Sequence, residues 1–506
     1  MEFTFEFLSS LFMASLSQWY VIVPAIVIGL IIGAIPGLGP ANSLIILLPF
    51  TLVLKVETAM AFMVALYCSA RMGAGIPAIL VNIPGTAGAA ATPFDGYPMS
   101  QKGLAQRALT LSFVASAVGG LIASIFSIFA LPLLSRVGYY FHSVEMVVVM
   151  LFGLTLIAVV STGNTLKGLI AGVFGLLVGA IGPDHIYSAP RATFGFLELY
   201  DGVPVVAALI GIFAISEALL MTEVKSIVTD VGKVHMATQT RWAETIIGVR
   251  MAFKRWWHIV WTSFIGLGVG VVPGAGAPIA AFVAYQQSRL FSKTPEKYGT
   301  GHPEGILAPE AANNGVTSGS LIPLLTLGVP GGSTAAIMLI VIQYHGITLG
   351  PRIFLDRPEF PYGVLMAMVV TYLFMVGTIL PLARYMSRVT LIPTQFLAPA
   401  IISFTLVGAF APRMYMFDMG LALVFGVIGY IARKTGYQVS AILIGVILGP
   451  YIEQYFMRAL RIAEGNPMVL FSSRIGNILW VFLLLSLIAP PLLGWYKKRK
   501  ADRALQ

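Results

Sequence analysis

Cysteine is nearly absent. The 506 residues contain one, Cys68, so neither an internal disulfide nor a Cys-x-x-Cys metal or redox site can form. Charge is scarce as well: 10% of residues are Asp, Glu, Lys or Arg, against roughly 25% in soluble domains. With 58% hydrophobic residues and no polar stretch long enough to be a soluble domain, the composition is that of an integral membrane protein. The net charge of +10 therefore has no polar face on which to hold nucleic acid. The first basic residue is Lys55, which argues against a cleaved signal peptide, because such a segment needs a basic start. The histidines His142, His185, His235, His258, His302 and His345 are scattered without metal-ligand spacing. No His-Glu-x-x-His or nucleophile-elbow pattern occurs, so the motifs of an intramembrane hydrolase or transferase are missing.

What the sequence does have is apolar runs. They include 19–35, 109–131, 144–160, 166–181, 203–221, 257–272, 362–381, 396–410, 417–431, 439–448 and 475–493. Together with shorter stretches around Pro-Gly pairs they predict an all-α polytopic membrane protein of about twelve membrane segments. Basic residues gather in the middle (Lys225, Lys233, Arg241, Arg250, Lys254, Arg255) and in the tail (Lys497, Lys498, Arg499, Lys500, Arg503), which places both in the cytoplasm. The expected organisation is a lead-in over 1–18, a first membrane repeat over 19–221, a basic linker over 222–256, a second repeat over 257–451, and an extra helix with a basic tail over 452–506.

The word repeat rests on two phrases written twice. GLIIGAIPGLGP (29–40) aligns with GLGVGVVPGAGAP (266–278) through Gly29/Gly266, Leu30/Leu267, Gly33/Gly270, Pro36/Pro273, Gly37/Gly274 and Gly39/Gly276. GAGIPAILVNIPG (73–85) aligns with GSLIPLLTLGVPG (319–331) through Gly73/Gly319, Ile76/Ile322, Pro77/Pro323, Pro84/Pro330 and Gly85/Gly331. The offsets, 237 and 246 residues, differ by one insertion of nine. Proline lacks the helical N–H and the glycine after it accepts angles that other residues resist, so a helix reaching either phrase stops. A helix interrupted within a bilayer must bury the break in protein or turn it to a watery cavity, and paired breaks in two halves point to a transporter's binding site. With the N-terminus outside and the linker inside, the first half crosses an odd number of times, so the second is its inverted copy. Each half then carries broken helices and a re-entrant hairpin.

Two polar stretches flank the second phrases. Ser288 to Asn314 ends in Pro309-Glu310-Ala311-Ala312-Asn313-Asn314, and the two amides either cap the apolar helix that follows or offer carbonyls to a cation and N–H groups to a carboxylate. Ala91 to Leu109 holds the turn Asp95-Gly96 and a polar helix start. It reads either as a solvated connection or as an acid and two bases beside a re-entrant segment. Glu145, Glu217, Asp418 and Glu453 either transfer protons or pair at helix ends.

The phrases GAIPGLGPANSLIILLP, AILVNIPG with FDGYPMSQKG, VPGAGAPIAAFVAY, PEAANNGVTSGSLIPLLTLGVPGGSTAA and HGITLGP resemble the large membrane subunit of the tripartite tricarboxylate transporters, the TctA family. The resemblance covers nearly the whole chain. It implies a secondary transporter of bacterial inner membranes, driven by a sodium or proton gradient. Its implied partners are a small membrane subunit of about four spans and a periplasmic solute-binding protein that delivers a carboxylate. One departure stands out: Arg71-Met72-Gly73 occupies the place of the family's usual Tyr-Gly-Gly run, which puts a citrate-like substrate in question.

These readings define the expected site. Two hairpin tips meet at mid-membrane and bind substrate through Asn82, Gly85 and Thr86 from one half and Gly331, Gly332, Ser333 and Thr334 from the other, with the N–H groups of the following half-helices facing the anion. Arg71 either pairs with that anion or snorkels to an interface. Asn42, Asn313 and Asn314, with carbonyls at Gly37 and Gly274, are the expected oxygen ligands of a coupling cation; no other cofactor is expected. Elevator-like movement of one hairpin unit gives alternating access. The competing reading is a channel or passive facilitator for organic anions, which ignores both the ion gradient and a binding protein.

Overall fold

The computed structural model describes residues 4–138, 140–160, 165–184, 189–223, 242–386 and 394–488. Lys225, Lys233 and Arg241 of the expected linker, and the basic tail from Lys497, lie outside them. The chain is built almost wholly of helices; among the described residues the strands are the two-residue pair Gly182–Pro183 and Pro190–Arg191. Among the described residues six helices are long and apolar enough to cross a membrane, seven if the bent pair at the start counts as one span, and six shorter apolar helices accompany them.

In the first half, α1 (Phe5–Ser17) begins where the Thr4 side chain accepts from the Phe7 N–H, and it meets α2 (Trp19–Gly33) at a bend of 65°. Then come α3 (Pro40–Ile46), α4 (Val56–Gly73), α5 (Gly75–Val81), α6 (Pro93–Met99), α7 (Ala105–Gly138), α8 (Ser143–Val160), α9 (Thr165–Gly179) and α10 (Val205–Thr222). In the linker, α11 (Trp242–Lys254) is a helix packed on α7, tied by Arg107 to Glu244 at 2.8 Å and by Gln106 to Thr245 at 3.0 Å. The second half runs through α12 (Trp256–Val271), α13 (Gly276–Phe291), α14 (Glu304–Leu327), α15 (Ser333–Tyr344), α16 (Glu359–Met386), α17 (Thr394–Phe410), α18 (Met416–Lys434) and α19 (Val439–Ile462), and α20 (Arg474–Ile488) follows.

The helices stop where the sequence says they must. α2 ends at Gly33, before Pro36, and Gly37 turns with φ +91°; α12 ends at Val271, before Pro273, and Gly274 turns with φ +83°. At the second phrases the chain leaves the helix through left-handed residues at matching positions, Asn82 (φ 59°) and Gly328 (φ 72°), and the N–H groups of Ile83 and Val329 bond back to the carbonyls of Pro77 and Pro323, both at 3.3 Å.

Aligned glycines also set the packing. α2 lies along α4, and α12 along α14, at separations that only glycine permits. A β-carbon on Gly73 would stand 2.5 Å from the Leu30 carbonyl oxygen, and one on Gly319 2.4 Å from that of Leu267, its aligned partner. The halves then pack across each other: α7 on α14, α16 on α4, α9 on α19 and α10 on α18. Large apolar side chains such as Phe129, Leu133, Leu177, Phe404 and Val424 point outward, as expected of surfaces solvated by lipid rather than water.

Both polar stretches differ from the expectation of loops and caps. Asn313 and Asn314 sit in the middle of α14, fully buried, because the helix starts ten residues before Asn314, at Glu304, and runs on through Pro309. The segment after Ala91 is equally not a solvated loop. Asp95 is fully buried and accepts hydrogen bonds from the N–H groups of Gly299, Gly301 and His302 at 2.9, 2.8 and 2.6 Å and from the Tyr285 hydroxyl at 3.0 Å. A carboxylate of the first half thereby satisfies a glycine-rich turn of the second, where those N–H groups would otherwise be unpaired.

Candidate functional site

The two breaks of each half are joined by one main-chain hydrogen bond at aligned positions. The Gly37 N–H donates to the Gly85 carbonyl at 3.3 Å, and the Gly274 N–H to the Gly331 carbonyl at 3.1 Å. All four breaks border a single cavity of about 780 Å³, lined among others by Gly37, Pro84, Thr86, Gly274, Gly331 and Ser333. Two half-helices begin here with their unpaired N–H groups, α3 after Gly39 and α15 after Gly332, and α13 begins here at Gly276. These are the positive ends of helix dipoles. The first half's second break differs from the expected arrangement. Only a 3₁₀ turn, Ala87–Ala89, follows Thr86, because Gly88 is pressed on the second half: a β-carbon there would lie 2.6 Å from Asn313 Oδ1 and 2.9 Å from the Ala277 β-carbon.

Arg71 projects into the same space from the last turn of α4. Its guanidinium donates to Tyr67 Oη at 2.8 Å and to Asn313 Oδ1 at 3.1 Å, while its Nε has no hydrogen-bond partner. Tyr67 Oη in turn meets Ser320 Oγ at 3.0 Å. The cation is thus held from two sides by neutral groups, which fix its direction without neutralising it. On another part of the wall Arg433 pairs with Glu217 at 2.9 Å and donates through Nε to Ser216 Oγ at 3.1 Å. Asn42 donates from Nδ2 to the Gly37 carbonyl at 3.1 Å; its Oδ1 is buried and has no hydrogen-bond partner.

Of the expected site residues, the cavity lining includes Arg71, Gly85, Thr86, Gly331, Gly332, Ser333, Thr334, Asn42, Gly37 and Gly274. Asn313 reaches it indirectly, through its bond to Arg71. Asn82 and Asn314 are elsewhere. Asn82 is exposed at the left-handed end of α5, and Asn314 is buried, with Nδ2 donating to the Glu310 carbonyl at 3.4 Å and Oδ1 accepting from Tyr372 at 3.4 Å. Among the four scattered acids, Glu145 accepts from the His142 N–H and Asp418 binds Arg413, both in the first turn of a helix, Glu453 binds Arg191 from within α19, and Glu217 faces the cavity.

Tyr67, Ser320, Phe213, Arg433, Gln438 and Ser440 also line it and were not singled out from the sequence. Arg433 sits beside Lys434 at the end of α18, where a basic pair reads as a mark of the membrane boundary. Its partner lies 216 positions earlier, and nothing local in the sequence joins the two.

The sequence profile of the Tripartite tricarboxylate transporter TctA family matches residues 20–444. An uncharacterised 52.8 kDa protein of the TAR-I ttuC' 3' region of Agrobacterium vitis is 30% identical over 461 residues, which cover 89% of this chain and 88% of that one. A second Agrobacterium vitis protein, uncharacterised and from the TAR-II ttuC' 3' region, is 34% identical over 208 residues, covering 41% of this chain and 86% of its own length. No solved structure matches. With its apolar membrane-spanning helices and a family match over most of its length, the chain belongs to the tripartite tricarboxylate transporter TctA family, as a multi-pass membrane subunit of a transporter.

Proposed function

We propose that this chain is the transport subunit of a binding-protein-dependent secondary transporter that imports an organic carboxylate through the cavity between its helix breaks. The observation that carries this reading is the meeting of four breaks, two from each half, around one cavity that also holds a directed guanidinium with neutral partners. A carboxylate there meets Arg71, the N–H groups at the start of α15 and the hydroxyls of Thr86, Ser333 and Thr334, which is the chemistry that anions select. The Oδ1 of Asn42 and the carbonyls at Gly37 and Gly274 are oxygen donors for a coupling cation such as sodium.

The equivalent contacts at aligned positions support two halves of one design, which the charge distribution orients as inverted repeats in a bacterial inner membrane, N-terminus periplasmic and C-terminus cytoplasmic. Elevator-like motion of one hairpin unit alternates access. A periplasmic receptor loads the carboxylate, and a small membrane subunit completes the complex. In proteoliposomes holding both membrane subunits, uptake of radiolabelled organic acids should require the loaded receptor and an inward ion gradient. Uptake at equal rates without either makes the protein a passive facilitator and ends this reading.

A further inference from the structure

The linker helix α11 (Trp242–Lys254) has two unlike faces. Thr245, Gly248 and Ala252 are buried, and a β-carbon on Gly248 would stand 2.8 Å from the Thr110 β-carbon of α7. The other face is apolar yet exposed, at Ile246 (64%), Ile247 (38%) and Phe253 (58%), and the exposed Trp256 and Trp257 follow at the start of α12. Among these apolar side chains lie Arg250 and Lys254, both exposed. Positions 246, 247, 250, 253 and 254 recur at the three- and four-residue spacing that gathers side chains on one side of a helix.

The neighbours of α11 fix its depth. Thr110 is the second residue of the apolar run 109–131, and Arg107, the base just before that run, pairs with Glu244. The run of α12 begins at residue 257. The helix therefore lies where both neighbours enter hydrocarbon, the level at which tryptophan and basic side chains meet lipid headgroups. Its charge is one-sided. Glu244 is the only acid in α11 and is taken by Arg107, whereas Arg250 and Lys254 have no ion-pair partner among the described residues. Like charges four positions apart on a helix repel each other, and an anion bound to both turns that repulsion into attraction. Water suits the two bases but not Ile246 and Phe253, and hydrocarbon suits only the reverse. A layer of phosphates with acyl chains beneath it suits both.

We propose that this face of α11, with Trp256 and Trp257, is a docking surface for anionic phospholipid. By the charge distribution the lipid belongs to the cytoplasmic leaflet. Arg250 and Lys254 bind the headgroup phosphate, while Ile246, Ile247 and Phe253 rest on the acyl chains below it. A zwitterionic lipid brings its own cation to the same place and gains less from the two bases. The bound lipid braces the connection between the two halves, since α11 is packed on α7 of the first and leads directly into α12 of the second. None of these residues lines the carboxylate cavity, so the surface stands whether or not the transport reading does.

The test is equilibrium binding of radiolabelled phosphatidylglycerol to the purified full chain in a non-ionic detergent. The wild type should bind it saturably, with displacement by unlabelled phosphatidylglycerol and not by equal concentrations of phosphatidylcholine or inorganic phosphate. Arg250→Gln and Lys254→Gln should each weaken binding about fivefold and the double change about 25-fold, the worth of basic residues beside an anionic membrane surface. Both side chains are exposed, so these variants should keep the wild-type size-exclusion profile. Lys293→Gln with Lys297→Gln removes two exposed bases outside α11 and should leave binding close to that of the wild type. Wild-type affinity in the Arg250→Gln, Lys254→Gln double variant, or an equal loss in the Lys293, Lys297 control, overturns the proposal. Displacement by phosphatidylcholine overturns it too, by showing an apolar surface without headgroup choice. Displacement by the purified small membrane subunit assigns the face to that partner instead.

Discussion

Replacing Gly73 or Gly319 by alanine tests the close crossings on which both halves depend. At each, the new β-carbon lands on a backbone carbonyl of the crossing helix, 2.5 Å from Leu30 and 2.4 Å from Leu267, about 1 Å short of the 3.4 Å at which ordinary contact begins. The obstacle is main chain, so no side chain can rotate away and the helices must part. Overpacking of this kind costs about 1–3 kcal/mol. Alanine's helix propensity returns about 1 kcal/mol. The net expectation is a loss of up to about 2 kcal/mol at either site. Gly268, on the same helix as Leu267, has nothing within 4 Å of its β-carbon position, so alanine there should be neutral or stabilising. Thermal unfolding of the detergent-solubilised protein, followed by size-exclusion profile, should show Gly73→Ala and Gly319→Ala melting below the wild type by similar amounts, with Gly268→Ala at or above it. Equal melting of all three, or a fall for Gly268→Ala alone, refutes the claim that aligned glycines set the spacing in both halves.

Further outcomes follow from the cavity and the turn beside it. Arg71→Ala should raise the substrate concentration for half-maximal uptake about tenfold to a hundredfold, the worth of charge-assisted hydrogen bonds; an unchanged value places the anion elsewhere. Glu217→Gln leaves the Arg433 charge without its partner, and breaking such a pair costs about 3–5 kcal/mol. The double change Glu217→Gln with Arg433→Met should therefore express and melt better than the single one, and the reverse order would show that the pair is not an energetic unit. Asp95→Asn should speed amide hydrogen exchange at Gly299, Gly301 and His302, whose N–H groups lose an ionised acceptor. Unaltered protection there would mean that the turn holds itself.

Much of the architecture was legible because it depends on local rules. Pro36 and Pro273 end helices wherever the rest of the chain goes, and a glycine after each supplies the positive φ the turn needs. Arg71 was conspicuous as a lone base in an apolar run. Asp95 and Asn313 were readable only as polar residues near turns, because what they bind lies hundreds of positions away: the Gly299–His302 turn for one, the Arg71 guanidinium for the other. The capping reading of the Asn pair fails for a definite reason. Amides commonly cap helices, yet packing against α7 and α12 carries α14 straight through both residues.

The sequence by itself determined that the chain lives in a membrane, that it repeats two broken phrases, and where its helices must stop, since each follows from composition or from the covalent limits of proline and glycine. Only the tertiary structure decided that the four breaks share one cavity, that Glu217 and Arg433 pair on its wall, and that Asn82 stays outside. Those are matters of which helix crosses which, set by contacts between residues far apart in the chain, and no local pattern encodes them.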